Sequence, residues 1–218
     1  MLRSGMRERS GRRLWLSVMS GSVRQESVLL PWPPTLEQRH LENCRVAASR
    51  EILIAKLHLP QGCRIAEVGV FKGDFSRHLF DTCQPAELHL IDLDLRSHRI
   101  AERFQPEIAA GRIILHEGDS SAVVRQFSEG YFDAIYVDGD HSYDGVRRDI
   151  DAAAPRIAER GVLIFNDYTY WSPCECMRYG VMQAVNEFCL NTDWEVAYFA
   201  LDGYMYCDIA IHRKDRSG

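Results

Sequence analysis

The sequence predicts an α/β fold: a doubly wound, mostly parallel sheet covered by helices on both faces and finished by a C-terminal antiparallel hairpin. Three observations carry that expectation. Short apolar runs alternate with stretches of helical periodicity from Arg64 to Phe165, the first run opens into a glycine-bearing turn (Glu67 to Gly73, EVGVFKG), and all five runs end on polar residues. Strand and helix in strict alternation imply right-handed crossovers and a sheet buried on both sides.

The elements follow in order. Residues 1–30 hold six arginines against two glutamates, and their apolar stretch is broken by serines, so they lack the continuous core of a secretory signal. A transit peptide, a disordered arm and upstream sequence ahead of a start at Met19 all fit that composition. The domain division taken is a basic, disordered arm over residues 1–34 and one domain over 35–218, with PWPP (Pro31 to Pro34) as the separator because proline cannot sit inside a helix or central strand. Thr35 is placed to cap a helix running to about Leu59, with apolar residues at Leu41, Cys44, Ala48, Ile52 and Ala55, stopped by Pro60-Gln61-Gly62.

Strands are expected at Arg64–Val68, Leu88–Asp92, Ile113–His116, Phe132–Asp138 and Val162–Phe165. Helices are expected at Phe75–Cys83, Arg96–Ala110 and Tyr143–Arg160, with Gly111 and Gly161 as left-handed helix ends. Trp194–Leu201 and Tyr204–His212 read as the closing hairpin, which makes seven strands in all.

At 218 residues, 46% hydrophobic and 26% charged, the chain is suited to one domain with a substantial core. No apolar run approaches the ~20 residues of a membrane span, so no membrane association is expected. The net charge of −5 becomes more acidic once the arm is set aside, which argues against nucleic acid as the partner. Seven cysteines without regular spacing read as reduced thiols in a cytoplasmic protein. Cys174 and Cys176, without a second spaced pair, are poor zinc ligands.

In an open sheet of this kind, ligands bind beyond the carboxyl ends of the strands. Glu67-Val68-Gly69, Asp92, Gly118-Asp119-Ser120, Asp138-Gly139-Asp140-His141 and Asn166-Asp167 all fall there. Glycines after a buried strand let the backbone approach a ligand, and an acid closing the second strand can accept hydrogen bonds from both ribose hydroxyls. The spacing G-x-x-x-G, with Val70 and Lys72 inside it, is not the dinucleotide fingerprint G-x-G-x-x-G, so a nucleotide-dependent oxidoreductase is the weaker reading.

With these blocks in order, residues 60–212 resemble the class I S-adenosylmethionine-dependent methyltransferases, whose domain is Rossmann-like. VDGDHSYDGVRRDI (Val137 to Ile150), GVLIFNDY (Gly161 to Tyr168) and GVMQAVNEF (Gly180 to Phe188) resemble more narrowly the small-molecule O-methyltransferases of the macrocin type. The resemblance implies that Glu67, Gly69, Val70 and Gly73 form the cofactor loop, that Asp92 holds the ribose, and that Asp119 and Ser120 border the adenine. Asp138 would touch both cofactor and reacting groups. It further implies a magnesium ion between Asp138, Asn166 and Asp167, which would lower the pKa of a substrate hydroxyl, and His141 as the base that takes its proton. The acceptor would be a sugar, phenol or natural-product hydroxyl, with a homo-oligomer as the possible assembly.

Two alternatives stay open on the residues alone. Asp140 and Ser142 can be simple helix caps with His141 exposed, and Tyr168, Tyr170, Trp171 and Tyr179 can either stack on the acceptor or pack on the domain or a dimer partner. A non-catalytic binding module of the same fold is the rival from another functional class.

Overall fold

The computed structural model describes residues 32–214, so nearly all of the predicted arm lies outside the described residues. The part of PWPP that is described packs on the domain: the Trp32 ring stacks on Tyr170 at 4.6 Å, and the Pro34 carbonyl accepts from Asn186 Nδ2 at 2.7 Å.

The helix expected over 35–59 is instead three elements. A 3-10 turn covers Gln38–His40, a short strand β1 covers Arg45–Ala47, and helix α1 covers Arg50–Lys56. The apolar spacing misled here because β1 earns its strand conformation from a distant partner, pairing parallel to residues 198–200. Ser49, not Thr35, caps α1, accepting from the Ile52 amide at 3.4 Å.

Thereafter the chain alternates as expected: β2 (Arg64–Val68), α2 (Asp74–Cys83), β3 (Glu87–Asp92), two short helices α3 (Ile100–Arg103) and α4 (Gln105–Ala109), β4 (Ile113–Glu117), α5 (Ser120–Val124), β5 (Phe132–Val137) and α6 (Tyr143–Ala153). One predicted helix becomes α3 and α4, with Pro106 entering at the start of the second. The helix expected to reach Arg160 stops at Ala153; a 3-10 turn through Pro155 follows, and β6 runs from Ile157 to Phe165. Gly161 is therefore inside a strand and is no helix end. A Cβ there would lie 2.8 Å from the Asp133 carbonyl, so close strand packing is what demands glycine.

A small hairpin, β7 (Trp171–Ser172) with β8 (Met177–Arg178), precedes α7 (Val181–Leu190) and the antiparallel pair β9 (Trp194–Ala200) and β10 (Asp208–Arg213). The main sheet has the order β1-β9-β10-β6-β5-β2-β3-β4, eight strands where seven were expected, the extra one being β1. β3 and β4 build outward on one side of β2 and β5 lies on the other, so the sheet changes direction between β2 and β5. A crevice opens at such a point.

Two apolar layers sandwich the sheet. Ile135, Val137 and Phe165 pack with Val146 and Ile150 of α6 and Val185 of α7, whereas Leu88, Leu90 and Ile164 pack with Leu53 of α1, Leu79 of α2 and Phe104. Each such side chain contributes about 1.5–3 kcal/mol by leaving water. Among the described residues, no helix is long and apolar enough to cross a membrane.

Candidate active site

The turn after β2 is held against the sheet by Asp92 at the end of β3. Its Oδ2 accepts from the Val70 amide at 2.7 Å and the Phe71 amide at 3.2 Å, and its Oδ1 from the Asp94 amide at 2.9 Å. Gly69 has φ +83°, and a Cβ there would stand 1.9 Å from the Asp138 carbonyl oxygen. Both facts require glycine. Gly69→Ala is expected to cost about 3 kcal/mol or more, read as a lowered denaturation midpoint, because backbone opposes the new methyl on one side and the dihedral opposes it on the other. Gly73, at φ +74°, opens α2 with its α-carbon face against the Phe104 ring.

Glu67 does not reach the crevice. It is fully buried beneath the turn, accepts from the Ser76 hydroxyl, and burial pushes its pKa up to about 8 despite that bond. The neutral acid is thus the native form at pH 7. A carboxyl raised in this way stabilises the fold below its unfolded value and loses that contribution as pH rises through the folded one. Glu67→Gln should therefore preserve stability at neutral pH and flatten its decline between about pH 4.5 and 8.

A crevice of about 550 Å³ opens beside Gly69, lined also by Asp92, Asp119, Ser120, Asp138 and Asp149. Asp119 caps α5, accepting from the Ala122 amide and the Ser121 hydroxyl, both at 2.8 Å, and the hydroxyl bond lowers its pKa most. Ser120 Oγ donates to Asp149 Oδ1 at 2.5 Å, and burial raises the Asp149 carboxyl to about 6. Neither Asp149 nor its neighbour Arg148, which also lines the crevice, was singled out in the sequence; both fall within the helix expected over Tyr143–Arg160.

The loop from Asp138 to Tyr143 divides its labour. Asp140 and Ser142 take the capping roles, accepting from the amides of Ser142 at 2.9 Å and Gly145 at 3.1 Å. Asp138 and His141 turn the other way. His141 Nε2 lies 3.5 Å from Asp138 Oδ1 and 3.6 Å from Asp167 Oδ2, ion-pair rather than hydrogen-bond distances, and this buried nitrogen has no hydrogen-bond partner. Burial pushes the imidazole pKa down, but Asp138 and the charges of Asp167 and Glu175 outweigh it, and the net shift is upward. Tyr179 stacks flat on the ring at 4.6 Å and 6°, so one of the four predicted aromatics holds the imidazole in place. Asp167, with φ +55°, carries a left-handed backbone that residues other than glycine rarely adopt.

Behind this point lies a second cavity of about 480 Å³, reaching Arg50, Asp167, Tyr179 and Asp208. Asp138 lines the first space and Asp167 the second, and His141 lies within 3.6 Å of both carboxylates. Tyr204 and Tyr206, from the β9–β10 connection, complete the second cavity. Tyr168 and Tyr170 face elsewhere, lining an apolar groove with Trp32 and Phe199.

Residues 66–168 match the family model described as a methyltransferase domain. Over those residues the chain is similar to S-adenosylmethionine-dependent methyltransferases, and its fold is their Rossmann-like one. Among curated proteins, none matches the sequence. Solved structures share the domain's fold at low identity. A Corynebacterium glutamicum protein is 15% identical with a TM-score of 0.59, covering 93% of this chain and 92% of its own. The Bacillus subtilis m1A22 tRNA methyltransferase TrmK is 13% identical with a TM-score of 0.55, covering 78% and 67%. The trans-methyltransferase CalH, solved as a complex with SAH, is 14% identical with a TM-score of 0.53, covering 75% and 55%.

The residues expected to hold magnesium do not line one space: Asp138 lines the first cavity, Asn166 and Asp167 the second. Asn166 Nδ2 donates to Asp208 Oδ1 at 3.1 Å and to the Tyr136 hydroxyl at 3.3 Å, and the residue, largely buried, lines the second cavity beside Asp167. Tyr136 in turn donates to Asp208 Oδ2 at 2.7 Å and accepts from Arg50 Nη1 at 3.4 Å. Asp138 and Asp167 share the His141 imidazole, and the Arg50 guanidinium sits 3.9 Å from Asp138. Among the described residues, no group of three or more His, Cys, Asp or Glu is placed to hold a metal ion.

The domain thus brings together Gly69, Asp92, Asp119, Ser120, Asp138, His141 and Asp167. It ties the Asn166 amide nitrogen to Tyr136 and Asp208, sets Glu67 beneath the loop, and adds Arg50, Tyr136 and Asp208. An acid opening a strand otherwise full of Ile and Ala (Asp208 in CDIAIH) was the one local signal for that network.

Proposed function

We propose that the chain is a small-molecule O-methyltransferase in which His141 removes the acceptor proton as the cofactor's methyl group is transferred. The observation carrying this reading is the buried Nε2 of His141, without a hydrogen-bond partner and within 3.6 Å of Asp138 and Asp167, which line the two cavities. In it, S-adenosylmethionine occupies the crevice, with the Gly69-Val70 to Gly73 turn around its amino-acid end, Asp92 on the ribose, and Asp119 and Ser120 beside the adenine. Both spaces are of the size that small ligands fill, ~300–1,000 Å³. The acceptor hydroxyl lies between Asp138, Asp167 and His141, which the two carboxylates hold as an imidazolium once it has the proton. Alignment of methyl and oxygen in one closed space supplies much of the rate, since well-oriented reactants gain up to about 7–11 kcal/mol.

The acceptor cavity's charge narrows the class further. Glu51, Glu175, Asp167, Asp202 and Asp208 face it against the single cation Arg50, which already serves Tyr136 and Asp138. Burial raises Asp167 to about 6 and Asp208 to about 7, so both are partly ionised near neutrality. Such a wall favours a hydroxylated acceptor bearing an amine and disfavours a phosphate-bearing one. This suits the macrocin-type resemblance of Val137 to Phe188 and is at odds with an RNA acceptor.

Calorimetric titration with S-adenosylmethionine and S-adenosylhomocysteine tests the reading. Saturable micromolar binding is expected; a folded sample that binds neither returns the chain to the non-catalytic alternative. A chelator is expected to leave turnover unchanged, and loss of activity restored by magnesium would put Asn166 and Asp167 back among metal ligands.

A further inference from the structure

At the end of β6, β9 and β10 away from the active site, a separate cavity of about 540 Å³ opens beside the C-terminal end of α1. It shares no residue with either space described above. Arg45 of β1, Lys56 of α1, Arg160 of β6 and Lys214 after β10 line it, with His58 and His212. Among the described residues, Arg45, Lys56 and Arg160 meet no carboxylate at ion-pair distance.

One acid lines the same cavity. Glu195 of β9 is only 4% exposed. Its Oε1 accepts from Asn43 Nδ2 at 3.0 Å, but Oε2 has no hydrogen-bond partner, and the neighbouring nitrogens, His212 Nε2 at 3.5 Å from Oε1 and Lys214 Nζ at 3.8 Å from Oε2, make ion-pair-range contacts without a hydrogen bond. The His212 Nε2 is likewise buried and unpartnered. A buried acceptor left without a donor costs about 1–3 kcal/mol, and cations gathered around one concavity repel until an anion joins them. The two deficits are complementary.

We infer that this cavity binds a small zwitterion, an ammonium group on Glu195 and an oxyanion among Arg45, Lys56 and Arg160. Guanidinium groups offer paired donors suited to either a carboxylate or a phosphate monoester, so both are admissible as the anionic end. A bare anion would leave Glu195 unsatisfied and would meet its negative charge, and a bare amine would face the surrounding cations. Only a molecule carrying both groups answers the whole lining. The site does not depend on the methyl-transfer reading, because its residues lie outside that machinery.

The full chain is titrated calorimetrically with phosphoethanolamine, β-alanine, inorganic phosphate and ethanolamine, with and without S-adenosylhomocysteine. One zwitterion is expected to bind at least tenfold tighter than phosphate or ethanolamine alone, with the same affinity whether or not S-adenosylhomocysteine is present. The choice between phosphoethanolamine and β-alanine identifies the anionic end. Lys56→Ala and Arg160→Ala, both at exposed positions, should each weaken that binding at least fivefold. Glu195→Gln should weaken the zwitterion and spare inorganic phosphate. The inference is overturned if neither zwitterion saturates, if inorganic phosphate binds as tightly, or if the two exposed variants bind like the native chain; these readings hold even if the Glu195 variant does not fold.

Discussion

His141→Gln is expected to lower turnover by roughly 10²–10⁴-fold, the usual worth of a positioned proton acceptor, while S-adenosylmethionine affinity stays within a few-fold. The separation follows from position: His141 does not line the cofactor crevice, so its loss leaves those contacts in place. Glutamine keeps a flat, polar group against Tyr179 but cannot accept and hold the proton. Because the imidazole must be neutral to act, and its pKa is raised by Asp138, Asp167 and Glu175 against the opposing effect of burial, activity should climb with pH through a midpoint above the ordinary histidine value. Asp138→Asn removes one of those charges, so its acidic limb should move to lower pH. A variant at His141 that loses cofactor binding and turnover together would defeat the assignment of separate roles.

Asp92→Ala should weaken S-adenosylhomocysteine by at least about a hundredfold, since two charge-assisted hydrogen bonds at about 1.5–3 kcal/mol each are at stake on the ribose alone. The structure adds a second loss. Removing the carboxylate strips acceptors from the amides of Val70, Phe71 and Asp94, so the turn that frames the crevice loses its tether. The melting temperature should fall by a few degrees as well. Asp149→Asn is the comparison, because Asp149 lines the same crevice without holding that turn. An Asp92 variant that binds S-adenosylhomocysteine as tightly as the native chain would remove the ribose role from Asp92.

Much of this arrangement was legible because it is local. A buried run followed by Gly69, or by Asp138 and His141, states both the strand and the place where it stops, and the caps at Ser142 and Asp119 are read within three residues. What escaped was whatever a distant partner decides. β1 has three residues and exists only through pairing with β9, so helical spacing around it was no guide. The contact of Arg50 with Tyr136 spans 86 positions and that of Tyr136 with Asp208 spans 72, and it is this network that holds the Asn166 amide nitrogen. Gly161 shows the same limit on a smaller scale: its environment is set by the Asp133 backbone across the sheet, which no window around residue 161 reveals.

Two seams at which only glycine fits bind the transferring parts into one unit: Gly69 against the Asp138 carbonyl, and Gly180, where an added Cβ would stand 2.1 Å from the Tyr143 amide while its own amide donates to the His141 carbonyl at 2.7 Å. The acceptor side is built otherwise. Its outer wall comes from the turn of the β7–β8 hairpin and from the β9–β10 connection, where Tyr204 is 80% exposed. Descendants of such a chain can change what they methylate by rewriting two surface loops, leaving the motor untouched. The same division offers an engineer a grafting boundary: new acceptor preferences can be sought in residues 172–178 and 201–206 while Gly69, Asp138, His141 and Gly180 stay fixed.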